Sequence, residues 1–410
     1  MSSSMLQRMR PSRQSSGRFK LPRKGRIRAV IILLLIAAVV RVIAFRAPPS
    51  DKNPKTIGKV QEKTRNVSVK RPAPRKHRSP KSAAQPASVG KRIDEEELRM
   101  LLQRVPLALT GGNESLHLKR QVLNVYTTID SSLQQLGKTL LANYRPRYGA
   151  LVAVEPATGR IRALASFSQD TVASLGSHLY CRSVFPAASI FKTVTAAAAL
   201  EGRYLRPESC LPLSGQRHTL YNFQLRQELK TQEEVTLEEA FAYSINPVFA
   251  RIGLYLLKPG ELRKCAESFG FGRPIPFVLP VDTSRVMEAD STFAVAELSS
   301  GFNRSTTLSP LMGALIAASI VENGTMPYPI LIDSICAVGT SDPLYRRAPE
   351  ALRTVVKGET AANVRRLMSN VVRYGTARNS FRYVKQTHRF NQMEYGGKTG
   401  SVNKDGLGKI

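Results

Sequence analysis

Phe185-Pro-Ala-Ala-Ser189-Ile-Phe-Lys192-Thr-Val-Thr-Ala-Ala-Ala-Ala-Leu-Glu201 places a serine and a lysine three positions apart at the start of an alanine-rich apolar helix. An α-helix turns once in about 3.6 residues, so Ser189 and Lys192 share a face and can share a proton. We read Ser189 as a nucleophile and Lys192 as its proton partner. In a first helical turn, unpaired backbone N–H groups and the positive end of the helix dipole favour negative charge. A lysine held against an apolar surface has its charged form disfavoured, which brings it towards use as a base. The Ser-x-x-Lys pattern is short and recurs at Ser88/Lys91 and Ser401/Lys404, but only the middle copy opens a buried-looking helix.

The chain of 410 residues is 42% hydrophobic and can build a substantial core. It holds 61 Lys+Arg against 30 Asp+Glu, and residues 1–90 alone carry 22 basic and 2 acidic side chains. That concentration suits an anionic membrane surface or wall polymer. The near absence of aromatics in the basic stretch argues against nucleic acid as a partner. Four cysteines, Cys181, Cys210, Cys265 and Cys336, show no metal-ligand spacing, so no metal is expected. Cys181 and Cys210 flank the Ser189 helix, and a disulfide between them in an oxidising compartment is one reading. Isolated thiols are the other.

Residues 1–28 are a basic tail expected to be cytoplasmic. The apolar stretch 29–45, interrupted only by Arg41, reads as one transmembrane signal anchor, short for a span but able to let Arg41 snorkel. Residues 46–90 form a Pro/Lys/Arg-rich, self-repelling tether. Residues 91–120 are a short helical lead-in containing the amphipathic run Ile93–Gln103. From Val122 the pattern is mixed: a β-rich run to Ile129, a helix over 131–144, then a hairpin of Ala150–Val154 and Arg160–Ala165 turned at Pro156 and Gly159. Adjacent hairpin strands imply an α/β (α+β) domain over 121–410 with an antiparallel sheet and helices on both faces.

Thr236-Leu-Glu-Glu239 is a capping box opening a helix that meets Tyr243-Ser-Ile-Asn-Pro247. Pro247 disfavours helix at Asn246, so Ser244 and Asn246 are expected in a break, with an ordinary polar turn as the alternative reading. Thr307–Val321 and Glu359–Tyr374 read as further helices. Tyr395-Gly-Gly-Lys398-Thr399-Gly400-Ser401-Val402 reads as a strand whose small residues admit a ligand and whose Lys398 offers a cation for a carboxylate. It does not meet the phosphate-loop pattern.

Ser189-x-x-Lys192, Ser244-x-Asn246 and Lys398-Thr-Gly400, in that order, match the motif set of penicillin-binding proteins and serine β-lactamases. Over roughly residues 120–410 the chain resembles the transpeptidase domain of a high-molecular-weight penicillin-binding protein. Thr127–Asp130, Gly149–Ala165, Thr307–Pro310 and Tyr374–Ala377 add to the likeness.

The resemblance implies a serine acyltransferase acting on the D-Ala-D-Ala end of peptidoglycan stem peptides, as transpeptidase or carboxypeptidase, with no cofactor. It assigns catalytic roles to Ser189, Lys192, Ser244, Asn246 and Lys398. Thr399, Gly400 and Ser401 would bind substrate, with backbone N–H groups of Ser189 and Ser401 as oxyanion donors. β-Lactams would be covalent inhibitors. The implied location is the bacterial inner membrane, single-pass, with the catalytic domain outside the cytoplasm and other wall-synthesis proteins as partners.

Two departures stand beside this. Ser300–Ser305 is less glycine-rich than the family pattern, and the chain stops at Ile410, which implies that the family's last strands and C-terminal helix are missing. A serine β-lactamase is the alternative enzyme, disfavoured by the anchor, the tether, Ile245 between Ser244 and Asn246, and the lack of an identifiable deacylating glutamate. A non-catalytic protein that binds wall peptides or β-lactams is the alternative from another class.

Overall fold

Asp130 accepts a hydrogen bond from Leu133 N–H at 3.0 Å and so caps a helix, α2 below, that the alternating pattern of Leu133, Leu136 and Leu141 continues to Tyr144. The computed structural model describes residues 92–401 except 105–106, 118–121, 171–177, 230–232, 341 and 383–392. The tail 1–28, the apolar stretch 29–45 and the tether 46–90 lie outside the described residues. Among the described residues no helix is long and apolar enough to cross a membrane.

The first half runs α1 (Glu95–Arg104), β1 (Asn113–His117), β2 (Val122–Thr127), α2 (Ser131–Tyr144), β3 (Tyr148–Val154) and β4 (Ile161–Ser168). A central stretch follows with β5 (Phe185–Pro186), α3 (Lys192–Glu201), β6 (Cys210–Leu213), β7 (Glu233–Thr236), α4 (Leu237–Ala242) and α5 (Asn246–Arg251). Then come α6 (Glu261–Ser268), α7 (Thr292–Ser300), β8 (Thr307–Leu308), α8 (Pro310–Val321) and β9 (Thr325–Pro327). The described part ends with β10 (Ile332–Ala337), β11 (Pro343–Arg346), β12 (Ala351–Thr354) and α9 (Gly358–Arg373).

Every named strand pair is antiparallel, as the hairpin pattern implied. The β3–β4 hairpin pairs Leu151 with Ala165 and Val152 with Leu164. Because side chains alternate along a strand, Leu151, Ala153, Ala163 and Ala165 meet Leu141 of α2 on one face. Ala150, Val152 and Val154 enter the main core on the other face, where α8 packs. Helices therefore cover both faces of the hairpin. The outer edge of β4 is closed by a side chain: buried Gln134 donates to Leu164 C=O and accepts from Leu164 N–H, both at 2.8 Å.

A second, four-stranded sheet, β1-β2-β10-β11, forms by pairing segments some two hundred residues apart. Helix starts follow the sequence signals. Thr236 and Glu239 complete the capping box of α4, and Ser309 caps α8, which has Pro310 at its first position. The expected Lys398 strand is not formed among the described residues. Tyr395–Ser401 instead runs beside α9, with Gly397 N–H donating to Met368 C=O at 3.1 Å. Among the described residues its backbone has no ladder partner, and β3 pairs with β4 alone. The gap between them is a cavity of about 1200 Å³ walled by α8 and α9.

Candidate active site

The Ser189 turn is held from both sides. β5 pairs with β8, so Phe185 faces Leu308, and Ala187 N–H donates to Thr306 C=O at 2.8 Å. Ala188 then takes a left-handed φ of +47°, which turns the chain sharply into a 3-10 turn, Ala188–Phe191. Ser189 was expected within the first turn of the α-helix. It lies on this tighter turn, and α3 begins at Lys192. In a 3-10 turn residues i and i+3 eclipse one another, which brings the serine and lysine side chains closer than α-helical spacing would. Gly301, at the end of α7, makes room for the turn: a Cβ there would lie 2.0 Å from Ala188 O.

Lys192 is fully buried. Its Nζ lies 2.9 Å from Ser189 Oγ, 2.7 Å from Asn246 Oδ1 and within hydrogen-bonding distance of Ser300 C=O, above the Phe249 ring. Burial, and then the positive charge of Lys398, push its pKa well below the usual lysine range. Asn246 Oδ1 and the Ser300 carbonyl are acceptors only and take two of the amine's hydrogens, so that once Lys192 is neutral its lone pair is the group left for the Ser189 hydroxyl. That geometry suits proton abstraction from Ser189.

Ser244 sits between α4 and α5 with φ +58°, in the expected break, but Asn246, expected in the same break, is the first residue of α5, with Pro247 accommodated in its first turn. Lys398 Nζ donates to Ser244 Oγ at 3.0 Å and to Thr399 C=O at 2.8 Å, over the Phe241 ring. The Lys398 side chain is partly open, but its ammonium is enclosed, and burial lowers its pKa to about 7. Gly400 passes the Ser189 turn, where an added Cβ would lie 3.3 Å from Ile190 and 3.4 Å from Ala187 O. Thr399 Oγ1 lies 2.6 Å from Thr376 Oγ1, which ties the segment to Tyr374–Ala377. Ser401 is exposed beside the same turn and lines the large cavity. Lys398, Gly400 and Ser401 line that cavity, whereas Ser189, Lys192, Ser244 and Asn246 do not.

All three sequence motifs therefore converge. Ser189, Lys192 and Asn246 form one hydrogen-bonded set, Ser244 and Lys398 form a second, and the two lysines feel each other's charge. The Cys181–Cys210 bridge is a correction: both are free thiols, Cys181 buried in the core and Cys210 exposed at the start of β6. Burial pushes the Cys181 thiol up to about 12. Sequence reasoning missed the Ser300 carbonyl, Phe249 and the backbone of Arg217 and His218, which accepts from Asn246. A backbone carbonyl leaves no residue-type signal. Only the odd composition of Ser300–Ser305 marked its segment.

Residues 149–409 match the penicillin binding protein transpeptidase domain, and the chain belongs to that family. It is 30% identical over 276 residues to the peptidoglycan D,D-transpeptidase PbpA of Mycolicibacterium smegmatis, a match covering 60% of this chain and 55% of that protein. The imipenem acyl-enzyme complex of penicillin-binding protein A from Mycobacterium tuberculosis is similar with TM-score 0.53 and 28% identity, over 62% of this chain and 65% of that one. The D,D-transpeptidase domain of a peptidoglycan glycosyltransferase from Eggerthella lenta gives TM-score 0.58 at 25% identity over 75% of each chain. The chain spans about half the length of the curated relatives it matches.

Proposed function

We infer that this chain is a serine D,D-transpeptidase of peptidoglycan synthesis, acting through an acyl-enzyme on Ser189. The observation that carries the reading is the Lys192 amine, buried, with two acceptor-only partners and Ser189 Oγ 2.9 Å away. Lys192 takes the Ser189 proton as Oγ adds to the penultimate carbonyl of a D-Ala-D-Ala stem peptide. Backbone N–H groups of Ser189 and Ser401 receive the oxyanion, each such donor being worth about 3–4 kcal/mol in the transition state. Ser244, bonded to Lys398, relays a proton to the departing D-alanine amine, and the serine ester remains. Lys398 and Thr399 hold the substrate carboxylate. An amine of a second stem peptide, or water, then attacks the ester, and Oγ recovers its proton through the same network. β-Lactams acylate Ser189 as mimics of the donor peptide.

In this reading residues 29–45 anchor the chain in the inner membrane and 46–90 carry the domain outside the cytoplasm, towards the wall and other wall-synthesis proteins. The test is product analysis with a pentapeptide ending in D-Ala-D-Ala, with and without an acceptor amine. Released D-alanine together with a peptide–amine product is the expected result. Hydrolysed peptide alone would make the enzyme a carboxypeptidase. Rapid β-lactam hydrolysis without peptide turnover would make it a β-lactamase, and binding without turnover would make it a sensor of wall peptides.

A further inference from the structure

The end of α7 (Thr292–Ser300) lies against α3, and each of its last four carbonyls has a partner from outside the helix ladder. A helix leaves those four without acceptable donors of its own. Gly301 N–H donates to Glu297 C=O and Leu298 C=O, and Phe302 N–H donates to Glu297 C=O at 2.8 Å. The other two are taken by side chains of α3: Thr195 Oγ1 donates to Ser299 C=O at 2.7 Å, and Lys192 Nζ donates to Ser300 C=O. Lys192 and Thr195 are one turn apart, so they share a face of α3 and meet consecutive carbonyls of α7.

Thr195, Ser299 and Ser300 are all fully buried. The serine hydroxyls leave the carbonyls to α3, because each turns back along its own helix: Ser299 Oγ donates to Val295 C=O at 2.6 Å and Ser300 Oγ to Ala296 C=O at 2.7 Å. Gly253 makes room on the far side of Ser299, where an added Cβ would lie 1.7 Å from its Oγ. A threonine inside a helix commonly turns its hydroxyl back to the carbonyl four residues earlier. For Thr195 that contact, to Phe191 C=O, is stretched to 3.5 Å, against 2.7 Å across to α7. Its one hydroxyl hydrogen is therefore committed between the helices.

We propose that Thr195 is a positioning residue for the Ser189–Lys192 pair: its hydroxyl locks the end of α7 in register with α3 and so holds the Ser300 carbonyl on the Lys192 amine. The proposal rests on the acyltransferase reading of Ser189 and Lys192. Thr195 acts through the backbone of Ser299 and Ser300, since fixing the first carbonyl limits where the next one can point. Without the hydroxyl, Lys192 keeps Asn246 Oδ1 but loses the fixed second acceptor that aims the amine at Ser189.

The test measures β-lactam acylation of the full chain and its Thr195→Val and Thr195→Ser variants, as a rate constant at saturation and a half-saturating concentration. Thr195→Val keeps the shape and removes the hydroxyl. Its saturating rate should fall about tenfold to a hundredfold, the scale of a small misplacement of catalytic groups, with the half-saturating concentration unchanged. Thr195→Ser keeps the hydroxyl and gives up a buried methyl, and should recover most of the rate. A threonine that only fills the core would give the reverse order, with valine keeping the rate and serine losing it. An independent readout needs no turnover: Thr195→Val should lower the melting temperature by at least about 1 °C less in the Lys192→Met chain than with Lys192 present, the size expected of coupling within one hydrogen-bond network. Acylation of Thr195→Val at the wild-type rate, or equal melting losses in the two backgrounds, would overturn the proposal. A wild type that no β-lactam acylates would instead overturn the reading it rests on, and the melting comparison would still decide this one.

Discussion

A neutral amine has two hydrogens and one lone pair, and in that state Lys192 would have one partner for each. The same burial that makes it a base also costs the folded state. Unfolded lysines keep their proton up to about pH 10.4, whereas folded Lys398 releases it at about 7 and Lys192 is also shifted down. Between those limits the unfolded chain binds more protons, so this contribution to stability rises with pH from about 7 to 10. Below pH 7, Lys398 is charged in both states and its full penalty is present. Lys398→Met removes its part of the slope. The melting-temperature advantage of Lys398→Met over wild type should therefore be largest at pH 7 and shrink towards pH 10. An advantage that grows with pH would contradict the buried-lysine account. The pairing of Ser189 with Lys192 was legible from their spacing together with the apolar helix that follows, but the two oxygens that orient the amine were not. One comes from the distant Asn246 side chain and the other from a backbone carbonyl at Ser300.

One helix end supports another. The C-terminus of α7 sends Ser300 C=O to Lys192 and Ser299 C=O to Thr195 Oγ1, the latter at 2.7 Å, and then turns at Gly301 with φ +65°. A side chain at 301 would meet both a strained backbone and the Ala188 carbonyl. Gly301→Ala should destabilise the protein by more than the roughly 1–2 kcal/mol that left-handed backbone costs a residue with a Cβ. It should also slow acylation by at least about tenfold, because the carbonyl it displaces is the one before Ser189. Unchanged melting and acylation in Gly301→Ala would show that the Ser189 turn does not depend on α7. The capping box made the start of α4 readable beforehand, whereas α8 was expected from Thr307 and begins at Pro310, and α5 begins at Asn246, where Pro247 was expected to disfavour helix. The left-handed Ala188 and the 3-10 turn were not readable, since alanine prefers neither.

Over the whole molecule, the lead-in helix is part of the domain core. Leu98 and Leu102 of α1 are buried in the main cluster, and Glu95 pairs with Arg347 at 2.7 Å and accepts from Tyr328 at 2.6 Å. Leu98→Ala should therefore cost about 2–5 kcal/mol and lower a single melting transition of the domain. A separate early transition, or no shift, would show α1 to be an independent appendage. The mixed class, the hairpin and the order of the three motifs were all visible in the sequence. The pairing of β10 with β2 was not, because strand partners far apart in the chain carry no local signal. The Lys398 segment, whose composition suggested a strand, lies against α9 through two hydrogen bonds, Gly397 N–H to Met368 C=O and Ser369 Oγ to Tyr395 C=O.

The central claim is that Ser189 is the acylated nucleophile, and intact and peptide mass spectrometry of the chain after exposure to a β-lactam tests it most directly. The account predicts one adduct per chain, on the peptide that contains Ser189, and none in a folded Ser189→Ala variant. An adduct that persists in that variant, or a folded wild type that takes none, would contradict it.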